Sequence, residues 1–279
     1  ISSKKSDFLA ELNGVSGMCN TAIVSSEHLS SRLRRSEEIK RLHDFCVNIF
    51  DKVRLVLYIR DPLLYSLSRL SQTLKAGGTP KELVSARNAK NINHYLKIKT
   101  WKECFPDSEV VVKRFEKNRL VMNSIIHDFC ATSFPILNIE EYSMIKSSNE
   151  SLSLTGMAVL RRLNSSFPRF VDDKPNPFWR GLSNAIDKST QDGSKFLPSR
   201  EEFMDYQSFF AESNECIRSE YFSDAESLFA RPENFAESKN NLDDVDIRRE
   251  VYEDIISSLW RKNVKMRELN QRLKRQGQA

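Results

Sequence analysis

Glycine is scarce, with 8 in 279 residues, which argues against a glycine-rich all-β fold. Cysteine is sparse and unpatterned. Cys19, Cys46, Cys104, Cys130 and Cys216 are scattered, odd in number and without CxxC spacing. That excludes a disulfide frame and a cysteine zinc site, and the five read as reduced core thiols of a cytosolic protein. No apolar run reaches the roughly 18 residues of a membrane span, and no signal peptide is visible. Strong charge is also missing. A net charge of +5 with pI near 8.9 suits an anionic ligand but is too weak to indicate nucleic acid. The chain starts with Ile1 and not Met, so a preceding N-terminal piece is expected.

What is present is enough for a core: 39% hydrophobic and 29% charged residues. TAIVSSE (21–27) reads as a short strand entering a polar turn, and residues 28–50 have helical apolar spacing. VRLVLYI (53–59) is apolar on both faces apart from Arg54, as a central parallel strand requires. Asp61 can cap the following helix and Pro62 fits its first position. Leu63, Leu64, Leu67, Leu70 and Leu74 then form one stripe, stopped by Gly77-Gly78-Thr79-Pro80. Residues 82–105 read as helix, SEVVVKRFE (108–116) as a strand, and 120–134 as helix. Alternating strands and helices predict βαβ units on a central parallel sheet. Beyond about residue 150 the pattern is helical: 151–164, a proline-rich loop KPNPFW (174–179), a helix opened by the capping box SREE (199–202), and a long helix from Asp243 to Arg275 with a basic end.

In an open parallel sheet, ligands sit beyond the carboxyl ends of the strands. One such end carries Ser25, Ser26, Glu27 and His28; the other carries Arg60, with Ser68 in the next helix. Arginine keeps its charge near neutral pH and offers a fork of donors suited to phosphate or sulfate. It also serves as a surface ion-pair partner, here of Asp61. Glu-His after a strand is either catalytic or a helix cap beside a solvated ring. At about 1.5 Å per residue, Ser68 lies roughly 10 Å along the helix from Asp61, so the pair shares a phosphate only if Arg60 reaches back along that helix.

Arg60-Asp61-Pro62 through Ser68, within VLYIRDPLLYSLSRLSQTLKAGG, resembles the Arg-x-Pro-x5-Ser segment that binds the 3′-phosphate in PAPS-dependent sulfotransferases. IVSSEHLSSRL (23–33), VVVKRFEKNRL (110–120) and NESLSLTGMAVLRRLN (149–164) are similar, in the same order, to the bacterial carbohydrate-type members. The likeness runs from about residue 20 to 230. It implies a P-loop-like three-layer α/β sandwich over residues 1–235, with 236–279 as a helical tail. It implies 3′-phosphoadenosine-5′-phosphosulfate (PAPS) as cofactor and transfer of its sulfuryl group to a hydroxyl or amine of a carbohydrate acceptor. By this resemblance Arg60 and Ser68 hold the 3′-phosphate, and Glu27 or His28 is the base. Phe115 stacks on adenine if KRFE matches the family's aromatic-Glu segment; otherwise it is a core phenylalanine.

One departure is large. The family's lysine-containing loop for the 5′-phosphosulfate has no counterpart, and GVSGM (14–18) follows no strand. The chain is therefore expected to begin after that loop. The C-terminal Arg-Lys-Gly segment of the small-molecule enzymes is also missing, which points to carbohydrate substrates. A non-catalytic module that binds a nucleotide or glycan is the alternative. A nucleotide kinase would need a Walker-type lysine and magnesium-binding acids, and neither is present. No metal, nucleic acid or membrane segment is expected, and the location is expected to be cytoplasmic. His43, His94 and His127 read as structural, Arg161-Arg162 as a solvated face or an anion contact, and Phe203, Tyr206, Phe209 and Phe210 as core. The C-terminal helix is a candidate for self-association.

Overall fold

The computed structural model describes residues 2–15, 17–134, 151–176, 179, 181–190 and 193–276. Ser16 of GVSGM, Asn149 and Glu150 of NESLSLTG, and Pro177 and Phe178 of the proline-rich loop lie outside these residues. In chain order the helices and strands are α1 (Ser2–Val15), α2 (Glu27–Arg32), α3 (Ser36–Val47), β1 (Arg54–Ile59), α4 (Pro62–Lys75), α5 (His94–Cys104), β2 (Glu109–Arg114), α6 (Ile125–Ser133) and α7 (Leu154–Ser166). They continue with β3 (Phe170–Val171), β4 (Lys174–Pro175), α8 (Leu182–Ser189), α9 (Arg200–Tyr221) and α10 (Arg249–Gln276). The fold is mixed α/β and mainly helical, with β1 and β2 paired in parallel. Packing divides it into two units: Ile1–Arg54 with Lys97–Glu109, and Leu55–Leu96 with Val110–Ala279.

In the first unit, Ile39, Ile98, Trp101 and Phe105 are buried. Trp101 stacks on Phe105, and His43 meets the same ring edge-on at 5.1 Å. Residues 21–26 carry no strand, contrary to the expectation for TAIVSSE. Ile23 and Val24 are 57% and 60% exposed, so β-branching there has no sheet to pack against.

The second unit is organised around α4. Asp61 accepts from the Leu64 N–H at 3.0 Å and Pro62 opens the helix, as the sequence predicts. Leu70 and Leu74 enter one apolar cluster with Met157, Leu160, Ile186 and Ile255. Leu63 enters another with Leu83, Ala86, Phe203 and Phe210, and Leu67 packs against both. Ser71, fully buried, accepts from the Leu152 N–H at 3.0 Å and joins α4 to the approach to α7. α9 begins with the capping box Ser199–Glu202, both backbone and side-chain bonds being made. Phe203, Tyr206 and Phe210 are core as expected, whereas Phe209 is 44% exposed.

Residues 82–93 are turns and one 3-10 turn rather than the first half of a helix. Leu83, Ala86, Ala89 and Ile92 are all buried, and their spacing of three suits tight turns better than an α-helix. Lys174 and Pro175 of the expected loop pair with Phe170 and Val171 in a hairpin. Asp172 and Asp173 take φ 49° and 59°, the positive pair that a type I′ turn demands. The cysteines are all free thiols, but only Cys104 is buried and Cys19 is exposed. Arg161 and Arg162 are half-buried and engaged within the chain rather than a solvated face or an anion contact. Arg161 pairs with Asp243, and Arg162 donates to the Asp243 and Val245 carbonyls.

Behind the sheet, Asp128 of α6 is 1% exposed and accepts from the Tyr58 hydroxyl of β1 at 2.7 Å. Lys113 of β2 stands 3.3 Å from the same carboxylate, and the Val121 N–H donates to it. Burial alone would push the Asp128 carboxyl up, but these donors and the lysine hold it below the ordinary value. Its stabilising contribution is therefore fully present above the unfolded value of about 3.9 and lost as pH falls through the lower folded value. Asp128→Asn is expected to cost about 1–3 kcal/mol at pH 7 and less at pH 3, as read by urea unfolding at both pH values. An equal cost at both pH values would show that the charge plays no part.

Candidate functional site

The carboxyl end of β1 is fixed from three sides. The Phe115 N–H donates to the Ile59 carbonyl at 2.7 Å, carrying the β1–β2 ladder one residue past β2. Asp61 starts α4 immediately afterwards. His94, at the start of α5, places Nε2 2.7 Å from the Arg60 carbonyl. That oxygen can only accept, so Nε2 carries the hydrogen. Tyr65 of α4 meets the His94 ring edge-on at 6.4 Å. The Arg60 backbone is thus held by strand, helix and imidazole together.

The Arg60 side chain is half-buried, and burial lowers its pKa. The expected alternative, an ion pair with Asp61, is not formed. The Asp61 carboxylate is spent on the first turn of α4, and burial raises its own pKa. Among the described residues no carboxylate lies within 4 Å of the Arg60 guanidinium, and no hydrogen bond engages it. Its neighbour is the Phe115 ring, whose centroid is 5.8 Å from Cζ. Phe115 is 39% exposed, so it is not a core phenylalanine. The Asp61 charge acts on the guanidinium without a direct contact, and a half-buried cation beside an open aromatic face is an arrangement an anionic, ring-bearing ligand can complete.

Ser68 sits two turns into α4, half-buried, with no hydrogen bond to its hydroxyl among the described residues. Glu27 and His28 belong to the first unit. Glu27 opens the six-residue α2, Ser26 caps it by accepting from the His28 N–H at 3.1 Å, and both side chains are exposed. The structure therefore gathers Arg60 and Phe115 with His94 and Asp61. It leaves Ser68 further along α4, and Glu27 and His28 in solvent.

Two features escape sequence reading. His94 reads as an isolated helical histidine, and only the chain's path brings it to the strand end. A pocket of about 330 Å³ opens beside the first turn of α4, lined by Asp61, Tyr206, Gln207, Asn214, Phe229 and Arg231 among others. The Tyr206 hydroxyl is committed to the Val84 carbonyl at 2.7 Å. Arg231 faces the Phe203 ring at 5.2 Å and is otherwise exposed. Among the described residues no group of three or more His, Cys, Asp or Glu side chains is arranged to hold a metal ion, and no helix is long and apolar enough to cross a membrane.

The chain is similar to an uncharacterized protein of Archaeoglobus fulgidus, 27% identical over 215 residues, or 75% of this chain. The match spans 56% of that relative's length. No protein-family model matches the chain, and no solved structure matches it.

A side chain kept for binding contributes little to folding. Arg60→Met is expected to change unfolding free energy by no more than about 1 kcal/mol, lost cation–π attraction being offset by relief of the buried charge. Urea titration of both proteins measures this. A loss above about 2 kcal/mol would make Arg60 structural.

Proposed function

We propose that the end of β1 binds a 3′-phosphorylated adenine nucleotide, and that the chain is a PAPS-dependent sulfotransferase of carbohydrate type. The observation that carries this proposal is the half-buried Arg60 guanidinium with no hydrogen bond and no ion pair within 4 Å among the described residues, standing over Phe115. A 3′-phosphate would supply the missing negative charge through a charge-assisted contact. Phe115 would offer a face to the adenine, and the Ser68 hydroxyl a neutral donor. The parallel β1–β2 pair followed by α4 supports a P-loop-like three-layer sandwich as the wider architecture, and a cytoplasmic location belongs to the same proposal. PAPS, when bound, supplies the sulfuryl group and a phosphate leaving group. Arg60 and Ser68 would hold its nucleotide end. Glu27, or His28, would take the proton of the acceptor hydroxyl as that oxygen attacks sulfur.

A second function, a non-catalytic nucleotide- or glycan-binding module, is favoured by one observation. Glu27 and His28 are both exposed, and no neighbouring side chain positions either of them among the described residues. The two functions share the Arg60 site and differ only in turnover.

Calorimetric titration with 3′,5′-adenosine bisphosphate, beside AMP, tests the shared part. The bisphosphate is expected to bind more tightly, and Arg60→Ala to weaken it by about 2–3 kcal/mol while AMP binding changes little. Equal affinity of mutant and parent would remove the 3′-phosphate assignment. Sulfate transfer from PAPS to oligosaccharide acceptors then separates the two functions. Glu27→Gln is expected to lower turnover about 100-fold with nucleotide affinity retained. Nucleotide binding with no transfer to any acceptor would favour the binding module.

A further inference from the structure

Helix α10 has two apolar stripes and only one is covered. Val251, Tyr252, Ile255 and Leu259 pack into the core cluster beside α8. About 100° around the helix, Ile256, Trp260 and Val264 stand one turn apart, 65%, 63% and 37% exposed. A tryptophan exposed at the centre of such a stripe marks an interaction surface rather than a scattered surface apolar residue.

The charges on this helix say what covers it. Its approach and first turns carry Asp243, Asp244, Asp246, Glu250, Glu253 and Asp254 beside Arg248 and Arg249. Its later turns carry Arg261, Lys262, Lys265, Arg267 and Arg272 beside Glu268. A parallel partner of the same sequence would set Glu253 on Glu253 and Arg267 on Arg267, whereas an antiparallel one sets Glu253 against Arg267. The exposed stripe is also a palindrome. From Glu253 the steps to Ile256, Trp260, Val264 and Arg267 are three, four, four and three residues. A two-fold axis at Trp260 therefore places Trp260 on Trp260 once, and Ile256 opposite Val264 and Glu253 opposite Arg267 twice each. Arg267 has no ion-pair partner within its own chain among the described residues. Glu253 has only the fully solvated Arg249, at 2.6 Å, a pairing worth little.

We propose that a second copy of this chain covers this face, α10 lying antiparallel on α10 with Trp260 at the centre. Three apolar residues per copy make a small contact, so the dimer is weak, with a dissociation constant of about 1–100 μM. Sedimentation velocity from about 1 to 200 μM tests it. The expected result is concentration-dependent dimerisation that weakens as salt rises. Trp260→Asp is expected to leave a monomer with a nearly unchanged melting curve at low concentration, because Trp260 is 63% exposed and belongs to neither buried cluster. Glu253→Lys and Arg267→Glu are each expected to weaken the dimer about tenfold, two contacts being reversed at once, and the double exchange to restore it. A monomer at every concentration, or a dimer untouched by Trp260→Asp, overturns the proposal. Failure of the double exchange to restore association overturns the antiparallel arrangement. If Trp260→Asp unfolds the chain, the charge exchanges on the exposed Glu253 and Arg267 still decide the matter.

Discussion

Helix α4 has apolar side chains on two faces, and burying both is the constraint from which the second unit is built. Leu70 and Leu74 require α7 and the cluster around it on one side; Leu63 requires α9 and the turns of residues 83–92 on the other. Leu67 touches both clusters, so neither can shift without the other. The two buried serines of the helix, Ser66 and Ser71, are small enough to let neighbours approach. A helix gripped in this way cannot move its first turn. Asp61 is therefore fixed, and with it the strand end that carries Arg60. The candidate site owes its rigidity to leucines one to three turns away from it.

The elements legible in the sequence were those with local chemistry. β1 announced itself as an unbroken apolar run, α4 by Asp61-Pro62, and α9 by Ser199 and Glu202. Elements that depend on distant neighbours were not legible. Ile23 and Val24 have the side chains of a strand, but a strand forms only where another lies alongside. Residues 82–93 run straight into the helix that begins at His94, so in sequence they read as part of it, although their apolar spacing of three suits tight turns. The site divides in the same manner. Arg60 after a strand could be read from sequence, since it needs only its neighbours. Whether Asp61 would pair with it directly could not, because the carboxylate instead accepts from the Leu64 N–H. The exposure of Glu27 and the arrival of His94 at the Arg60 carbonyl are likewise outcomes of the folded path.

Most charged and amide groups that resemble ligand-binding candidates are used to close the fold. Arg162 serves two backbone carbonyls ahead of α10. Asn164, buried in α7, donates to the carbonyls of Leu74 and Gly78 and accepts from the indole N–H of Trp179. Tyr58 and Lys113 are occupied by Asp128. Against that background the Arg60 guanidinium is distinguished by having no hydrogen bond or direct ion pair among the described residues. Position after a strand does not separate a binding arginine from a structural one; the lack of an internal acceptor does.

A cation half-removed from water without an internal acceptor also links the chain's lifetime to its surroundings. Folding leaves Arg60 with a debt of solvation that a bound anion would discharge, and a protein so occupied would resist unfolding more than the empty one. The gain follows mass action, about 1.4 kcal/mol for each tenfold rise of ligand above its dissociation constant. Proteolysis and aggregation act through opened molecules, and both slow as that population shrinks. Supply of the ligand would then govern how long each copy persists, independently of any reaction it performs.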